Sequence, residues 1–320
     1  MSRSRLARTL IIANPTSHSG RGAAGAETVR RVLETYDAAT DGFDLRLTEA
    51  AGDATRMAAE SADYDTVIAL GGDGVIHEVV NGLMQVDASA RPRLGVVPLG
   101  SGNDFARTLG LKANDPEASL AQLLAGSERV LDLGHVTSDA CPEGVYFMET
   151  LSFGLDAAIA IDTTDRREAG TRQEGSGLFL TSSIKLVSKA RKALACEAII
   201  DGGEPLRLGT LIFAVQNGPT YGGGFRICPA AMPTDGRLDV CYNVRHPRVP
   251  HLLVLLGLAR FGLHTRSAAI RLAQAREITL RFPEDEPPCQ VDGEKLCGTS
   301  FAVRIEPRAL RVIVPRGWSS

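Results

Sequence analysis

Residues 69–83 read ALGGDGVIHEVVNGL, a stretch that sets three glycines around one aspartate between two apolar runs. Residues 67–70 before the glycines are apolar and predict a buried parallel strand. The glycines therefore join the end of a strand to the start of a helix, whose apolar face would be formed by Ile76, Val79, Val80, Leu83 and Met84. In an open α/β sheet such a loop faces the ligand crevice, and glycine lets backbone N–H groups approach phosphate oxygens. The stretch predicts a phosphate site.

Asp73 is the unexpected residue in this loop, because a carboxylate repels phosphate unless a cation lies between them. A magnesium ion held through Asp73 resolves the conflict. The alternative is that Gly71–Gly74 form a tight turn and Asp73 merely caps the helix. A second loop, PLGSGNDFARTLG at 98–110, also follows an apolar strand and presents Asn103 and Asp104 before a helix. Two neighbouring strand ends that each carry an acid predict a magnesium nucleotide site.

Strands and helices alternate over residues 1–131, which predicts a parallel sheet covered on both faces. The strands after Asp132 lack regular intervening helices and predict antiparallel sheets, so a domain boundary is placed there. A helix is predicted over 177–194. Its basic residues could face solvent or an anionic bilayer: Lys185, Lys189, Arg191 and Lys192.

The composition is that of a soluble globular enzyme, with 44% hydrophobic and 23% charged residues in a chain of 320. A net charge of -3 argues against nucleic acid as a partner. The six cysteines form no CxxC pair, and no secretory signal opens the chain, so a reducing cytosol is expected. The apolar stretch 252–258 is too short to cross a bilayer and predicts either a core helix or an apolar lip at a membrane interface.

Two rival nucleotide motifs carry less weight. A literal GxGxxG occurs at Gly20, Gly22 and Gly25, but polar residues separate it from the preceding strand, where a dinucleotide fingerprint would start at the strand end. No GxxxxGK[ST] is present, which excludes a P-loop NTPase on sequence.

Seven segments in order along nearly the whole chain resemble the diacylglycerol kinase catalytic-domain family, in the branch of soluble bacterial lipid kinases related to sphingosine and ceramide kinases. They are NPTSHSGRG (14–22), GGDGVIHEVVNG (71–82), PLGSGNDFAR (98–107), LDLG (131–134), FGLDA (153–157), PAAMPTDGRLDV (229–240) and VDGEKL (291–296). The Gly-Gly-Asp-Gly loop alone is shared with NAD kinases and phosphofructokinases. The conjunction with GNDFAR and DGE makes the resemblance specific.

The resemblance implies an N-terminal Rossmann-like α/β nucleotide domain over 1–131 and a C-terminal antiparallel β-sandwich lipid domain over 132–307. It places the active site in the cleft between them and returns the last strand, within 308–320, to the first domain. It implies ATP contacts at Asn14, Pro15, Thr16, Ser17, His18, Thr48, Gly72, Asp73, Gly74, Val75, Ile76, His77, Glu78 and Ser101.

The same resemblance assigns the chemistry. Asp73 and Asp104 match acids that organise Mg²⁺ and water, with Asp132 as a third member, and Glu294 matches the general base beside Asp292. A structural magnesium is implied at one further turn, with ligands from Met232, Asp235 and Arg237.

The expected activity is ATP- and Mg²⁺-dependent phosphorylation of a lipid hydroxyl, with diacylglycerol converted to phosphatidic acid. The enzyme would lie in the cytoplasm and dock transiently on the inner face of the membrane, as a monomer or a homodimer. Val75 and His77 depart from the threonine and asparagine usual in the family. These departures leave open that the protein is a catalytically weak nucleotide-binding lipid sensor. The alternative for His77 is that it is merely an exposed helix residue. An NAD kinase-like phosphotransferase is the other alternative.

Overall fold

The computed structural model describes residues 5–36, 38–168, 181–182, 185–186 and 193–318. The chain divides into two compact units, of which the first comprises 1–131 and 308–320 and the second comprises 132–307. Among the described residues, no helix combines the length and the apolar character needed to span a membrane.

The first unit is built on a parallel sheet. Its strands are β1 (Thr9–Ala13), β2 (Phe43–Leu47), β3 (Thr66–Gly71), β4 (Arg93–Pro98) and the last part of β16 (Ser300–Val314). They lie in the order β2-β1-β3-β4-β16, and every neighbouring pair is parallel. Strands β1 and β3 are buried along their whole length, as expected for a sheet covered on both faces. The predicted parallel sheet is confirmed.

Helices connect these strands. They are α1 (Ser17–Gly20), α2 (Gly22–Thr35), α3 (Asp53–Ala59), α4 (Asp73–Leu83), α5 (Asp104–Thr108) and α6 (Pro116–Ala125). Helix α4 begins two residues before Val75, where the apolar spacing alone predicted its start. The earlier start places Asp73 inside the first turn.

The second unit contains two sheets. Strands β5 (Ser127–Ser138), β6 (Val145–Phe147), β8 (Leu194–Ile200), β9 (Leu206–Thr210), β13 (Glu277–Arg281) and the first part of β16 belong to one. The other has the order β12-β11-β10-β7-β14-β15, with β7 (Thr150–Gly154), β10 (Ile212–Gln216), β11 (Leu238–Asn243), β12 (Ile270–Ala275), β14 (Cys289–Val291) and β15 (Glu294–Lys295). Neighbours in the second sheet pair antiparallel, as predicted.

Aromatic side chains fill the space between the two sheets of the second unit. The ring of Phe153 on β7 lies 4.8 Å from that of Phe301 on β16 and 5.5 Å from that of Phe282, measured between centroids. Each such ring pair stabilises the fold by roughly 0.5–1.5 kcal/mol beyond the contribution from the apolar area that it buries. This core makes the second unit a β-sandwich.

The described helices of the second unit include α7 (Leu155–Glu168), α8 (Val249–Ala259) and a 3-10 helix (Leu263–Arg266). The apolar stretch 252–258 lies in α8, which buries Leu252 and Leu255 while Leu253 and Val254 are exposed. Its contact with a membrane stays a prediction. The helix predicted over 177–194 falls largely outside the described residues. Residues 181–182 and 185–186 are helical, but Leu194 already begins β8.

Candidate active site

The glycine loop after β3 delivers Asp73 to the start of α4. Gly72 is the N-cap residue, with φ −83° and ψ −178°, and Asp73 is the first helical residue. The interpretation of Asp73 as a helix cap is therefore wrong, because the cap position belongs to Gly72. The first backbone N–H groups of α4 have no intrahelical acceptors, so this helix end can receive an anion.

The glycine loop after β3 is in close contact with the loop after β4, and it is this contact, not a left-handed φ angle, that requires glycine at position 100. A Cβ atom on Gly100 would lie 2.6 Å from the Cα of Gly72, a distance that real side chains do not reach. The N–H of Leu99 also donates to the carbonyl of Gly71 over 2.7 Å. The loops after β3 and β4 thus pack backbone against backbone.

This contact brings two carboxylates to one place. A Cβ on Gly102 would lie 2.7 Å from Oδ2 of Asp73 and 3.6 Å from Oδ2 of Asp104, so both oxygens face the same point. Arg107 holds the other oxygen of Asp104 with a 2.6 Å contact from Nη1. Asn103, buried with φ 53°, fixes the loop by donating from Nδ2 to the carbonyl of Gly100 over 2.6 Å.

The paired carboxylates fit a magnesium ion that also binds phosphate. Mg²⁺ in phosphoryl-transfer sites is held through one or two carboxylates together with substrate phosphates and waters. Within the part of the chain that the structure describes, no group of three or more His, Cys, Asp or Glu side chains is arranged to hold a metal alone. Asp73 and Asp104 beside an anion-binding helix end suit a nucleotide-bound ion better than an all-protein cage.

The loop after β1 lies beside the same strand end. Oδ1 of Asn14 accepts hydrogen bonds from the backbone N–H and the hydroxyl of Thr16, at 2.9 and 2.8 Å. Oγ of Ser17 lies 3.0 Å from the position of a Cβ on Gly71, so α1 starts next to the glycine loop. Thr48 donates its N–H to the carbonyl of Ala13 at the end of β1 over 2.9 Å.

Other members of the implied ATP set are distributed around this edge. Pro15 and His18 belong to the loop after β1, where Nε2 of His18 lies 3.3 Å from Nη1 of Arg21. Ser101 follows β4, next to Gly100. Gly74 and Ile76 belong to the first turns of α4. Their contacts with a nucleotide remain a prediction.

Three residues of α4 have roles that the sequence pattern did not show. The carboxylate of Glu78 accepts the N–H groups of Gly52 and Ala54, at 3.0 and 3.1 Å, and so caps α3. His77 is buried, with Nε2 3.3 Å from Nδ2 of Asn81. The alternative that His77 is an exposed helix residue is wrong, because its side chain is buried. Val75 is also buried.

The glycines of the rival GxGxxG motif have packing explanations. A Cβ on Gly22 would lie 1.9 Å from the carbonyl oxygen of Asn14, and one on Gly25 would meet Leu99 at 2.9 Å. Gly20 has φ 89°. These requirements arise from the tight join of α1 and α2 to the sheet, without a dinucleotide.

In the second unit, Asp292 and Glu294 lie on the β14–β15 hairpin. Asp292 and Gly293 form its two-residue turn with φ 48° and 100°, as expected for a type I′ turn. The carboxylate of Asp292 accepts three backbone N–H groups, from Met148, Glu149 and Thr150, at 2.8 to 3.0 Å. Glu294 instead has an exposed side chain. The structure therefore makes Asp292 an anchor of the hairpin and leaves Glu294 accessible.

Asp132 is tied to the turn at 232–237 within the second unit. Its Oδ2 accepts the N–H of Gly236 over 2.7 Å, and its own N–H donates to the carbonyl of Pro233 over 2.8 Å. In the same turn Oδ1 of Asp235 accepts the N–H of Arg237 over 2.9 Å. The carbonyl of Met232 accepts the N–H of Thr234 over 2.8 Å. The same carbonyl also accepts the N–H of Asp235 over a longer 3.4 Å. A cation at this turn would therefore use the other Asp235 oxygen and would replace this longer hydrogen bond to the Met232 carbonyl.

Comparison with known protein families gives a match in each of the two units. Residues 8–136 match the family described as "Diacylglycerol kinase catalytic domain". Residues 149–314 match the family described as "YegS C-terminal NAD kinase beta sandwich-like domain". The chain belongs to the YegS and diacylglycerol kinase family of lipid kinases.

Individual relatives are similar in sequence to this lipid kinase over most of its length. A protein named "Probable lipid kinase YegS-like" from Cronobacter sakazakii is 30% identical over 280 residues, which cover 85% of this chain and 86% of the relative. One of the same name from Yersinia pestis is 30% identical over 312 residues, covering 96% and 97%. The crystal structure of a diacylglycerol kinase from Bacillus anthracis has the same fold, with a TM-score of 0.71 at 21% identity and 97% of each chain covered.

Membership of this kinase family makes the chain a phosphotransferase that uses ATP and an alcohol acceptor. The catalytic-domain match contains Asp73 and Asp104, and the sandwich match contains Asp292 and Glu294. The residues implied by the resemblance thus lie within the matched parts of the lipid kinase.

A cavity of about 60 Å³ in the second unit was not predicted from the sequence. Its wall is largely apolar but contains the buried Asp156, whose Oδ2 accepts a hydrogen bond from Tyr221 over 3.1 Å. Burial raises the pKa of the Asp156 carboxyl to about 7, against the opposing hydrogen bonds from Tyr221 and Ser152. The acid in the apolar segment FGLDA was the available signal.

Replacing Asp292 with asparagine should destabilise the lipid kinase by about 1–3 kcal/mol, because one carboxylate oxygen becomes an amide that faces backbone N–H donors. Urea denaturation followed by circular dichroism would measure this. Asp165→Asn, at an exposed position on α7, is the matched control and should change stability little. Unchanged stability of the Asp292 variant would show that the three hydrogen bonds do not anchor the hairpin.

Proposed function

We propose that this lipid kinase transfers the γ-phosphoryl group of Mg²⁺-ATP to the free hydroxyl of diacylglycerol and so forms phosphatidic acid. The observation that carries the proposal is the convergence of Asp73 and Asp104 over Gly102, beside the N-terminal end of α4. Phosphoryl transfer depends on positioned phosphates and on stabilisation of developing charge. The N-terminal end of α4 can position the phosphates, and the two carboxylates can hold the cation that stabilises the charge.

The roles divide between the two units. The glycine loop and the loop around Asn14 bind and orient the triphosphate, and Asp73 and Asp104 would hold Mg²⁺ directly or through water. When bound, Mg²⁺ neutralises charge on the transferring phosphoryl group. Glu294 accepts the proton of the lipid hydroxyl while the hydroxyl oxygen forms a bond to the γ-phosphorus. The bond between the γ-phosphorus and the ADP oxygen then breaks, and ADP leaves.

A lipid acceptor is supported by the relatives' names and by apolar surface on the second unit. Leu253, Val254 and Leu263 are 40%, 57% and 40% exposed, and Phe261 is 70% exposed. Arg248 and Arg266 lie in the same stretch of chain. Apolar side chains with nearby arginines suit the interface of an anionic bilayer. We propose that the region 248–266 docks on the inner face of the cytoplasmic membrane while the enzyme remains peripheral.

The decisive experiment supplies the protein with ATP, Mg²⁺ and vesicles made from a total lipid extract. Mass spectrometry would then identify any lipid that gains one phosphate, and vesicles containing pure diacylglycerol would test the named acceptor. We expect phosphatidic acid. Phosphorylation of a different lipid would reject diacylglycerol alone. A parallel reaction supplies NAD in place of the vesicles, and phosphorylation of NAD there without any lipid product in the first reaction would reject the lipid acceptor.

Membrane docking can be tested separately from turnover. Phe261→Ser should lower the affinity for anionic vesicles, measured by co-sedimentation, by about tenfold or more, because burial of an aromatic side chain away from water contributes roughly 1.5–3 kcal/mol. Tyr36→Ser is the matched control, since Tyr36 is 63% exposed in the first unit. Equal loss of binding in both variants, or none in either, would argue against this docking surface.

A structural magnesium ion at the 232–237 turn is also proposed, with the Asp235 carboxylate and the carbonyls of Met232 and Arg237 as ligands. A cation bound only to the native state stabilises it by mass action. EDTA should therefore lower the melting temperature of the wild type and leave Asp235→Ala, which is already destabilised, largely unchanged. An equal EDTA effect on both proteins would place no metal at this turn.

A further inference from the structure

A polar pocket of about 430 Å³ lies in the first unit, at the amino ends of the parallel strands. Its walls come from the residues just before β1 and β3, from the start of β4 and from β16. The candidate active site occupies the opposite, carboxyl edge of the sheet. Strand β4 has six residues and separates the two edges by about 17 Å, at roughly 3.3 Å per residue. The phosphoryl transfer proposed above makes no use of this pocket.

Four guanidinium groups and two carboxylates line the pocket, which we call the arginine pocket. The residues that carry them are Arg5, Arg91, Arg93 and Arg311, with Asp65 and Glu128. The pocket therefore has an excess of two positive charges, although the whole chain has a net charge of -3. Guanidinium groups that are gathered in one place repel one another, and an anion bound among them offsets this repulsion. The charge balance points to an anionic ligand.

Hydrogen bonds to the protein hold two of the guanidinium groups in position. Nη2 of Arg93 donates to the carbonyl of Arg5 over 2.6 Å, and its Nε donates to Oγ1 of Thr66 over 3.0 Å. Nη2 of Arg311 donates to the carbonyl of Arg91. A ligand that meets side chains already held in place loses less free energy to their ordering. The arginine pocket is thus organised before any anion binds.

Arg5 and Arg311 bring further N–H donors to the same pocket. Among the described residues, Arg5 donates one hydrogen bond, to the carbonyl of Leu124, and Arg311 donates the one to Arg91. A guanidinium group has five N–H donors, in a planar fork that matches two oxygens of a phosphate group. Both arginines are exposed to solvent. They can therefore bind a phosphate without giving up their present hydrogen bonds.

The composition of the wall also limits the kind of ligand. Its uncharged members are three alanines, Tyr64 and Ser89, so it offers little apolar surface to an acyl chain. Pockets of roughly 300–1,000 Å³ are the size of small-molecule sites. We propose that the arginine pocket binds the phosphate monoester or pyrophosphate group of a small ligand, with Arg5, Arg93 and Arg311 as its donors. A phosphate group with two negative charges balances the excess positive charge.

The test is calorimetric titration of the intact protein with sodium pyrophosphate in the absence of Mg²⁺. Arg311→Gln should weaken binding by about tenfold or more, the effect of losing a hydrogen bond to a charged group. Arg31→Gln is the matched control, because Arg31 is an exposed arginine of α2 in the same unit, and this variant should bind like the wild type. An anion at the N-terminal end of α4 has no contact with Arg311, so the difference between the variants reports on the pocket alone.

A second variant should change the affinity in the opposite direction. Oε2 of Glu128 lies 3.6 Å from Nη1 of Arg93 and competes with an anion for it. Glu128→Gln should therefore tighten pyrophosphate binding by roughly two- to fivefold, the effect of one exposed charge. A variant that merely loosens the fold cannot bind more tightly. Melting curves of all variants would be recorded beside the titrations.

Co-sedimentation with phosphatidylcholine vesicles that contain phosphatidic acid distinguishes a lipid headgroup from a soluble phosphate. Pyrophosphate binding that depends on Arg311 assigns a soluble ligand, whereas dependence on Arg311 in the vesicle experiment alone assigns a headgroup. Wild-type behaviour of the Arg311 variant in both experiments would overturn the proposal, as would a Glu128 variant that binds neither pyrophosphate nor the vesicles more tightly. These readouts measure binding, so they are independent of the proposed kinase reaction.

Discussion

Replacing Asp73 with alanine is expected to lower lipid phosphorylation on the order of 10²-fold or more, the size of effect seen when electrostatic stabilisation is removed from a transfer site. The reason lies in the position of its Oδ2, which shares with Asp104 the point above Gly102. The fold should survive, because an acid in the first turn of a helix contributes only about 0.3–1 kcal/mol through the helix dipole. Initial rates with diacylglycerol vesicles, beside a melting curve, would measure both effects.

Asp63→Ala is the matched control for this variant, since Asp63 is an exposed aspartate of the same unit that lies outside the strand-end loops. It should retain wild-type rates. If a well-folded Asp73 variant also turns over normally, then Asp73 has no part in cation binding. Raising the Mg²⁺ concentration gives a second readout, because a weakened cation site should recover part of its activity while a misfolded one should not.

Glu294→Gln is expected to lower turnover by roughly 10²- to 10⁴-fold, because glutamine keeps the size and hydrogen bonding of the side chain but cannot accept the hydroxyl proton. ATP affinity should be unchanged, since the nucleotide loops belong to the first unit and Glu294 to the second. Lipid phosphorylation and nucleotide binding should be measured on one preparation. The separation of the two effects distinguishes loss of a base from loss of structure.

The control for Glu294 is Glu277→Gln, an exposed glutamate at the start of β13. A hairpin that serves only as a turn predicts near-normal turnover for both variants, which would remove Glu294 from the mechanism. The remaining acid of the hairpin is a poor substitute. Asp292 already accepts three backbone N–H groups, which occupy three of the roughly four acceptor positions of its carboxylate and lower its basicity.

Several features of the candidate site could be predicted from the sequence because they depend on short-range patterns. Apolar runs followed by glycines and an acid mark the ends of β3 and β4, and the parallel sheet brings such ends to one edge. The start of α4 was less well predicted. The apolar spacing begins at Val75, whereas the helical backbone begins at Asp73, because polar residues can occupy the exposed first turn.

Other features depend on partners that are distant in the sequence. His77 has the polarity of an exposed helix residue, yet its side chain is buried in the folded protein. Glu78 resembles a nucleotide ligand by position, but its carboxylate caps α3.

The sequence by itself determined the α/β unit, the antiparallel second unit, the glycine loops and the family, because hydrophobic periodicity and backbone requirements are written in consecutive residues. Only the tertiary structure decided which acidic side chains lie close together and which are occupied by hydrogen bonds to the backbone. Asp73 and Asp104 face one point because Gly72 and Gly100 allow two backbones to touch. Asp292 is held by N–H groups from β7 and the residues before it, while Glu294 is left exposed. The availability of a carboxylate depends on donors that folding brings to it, and no local pattern encodes those donors.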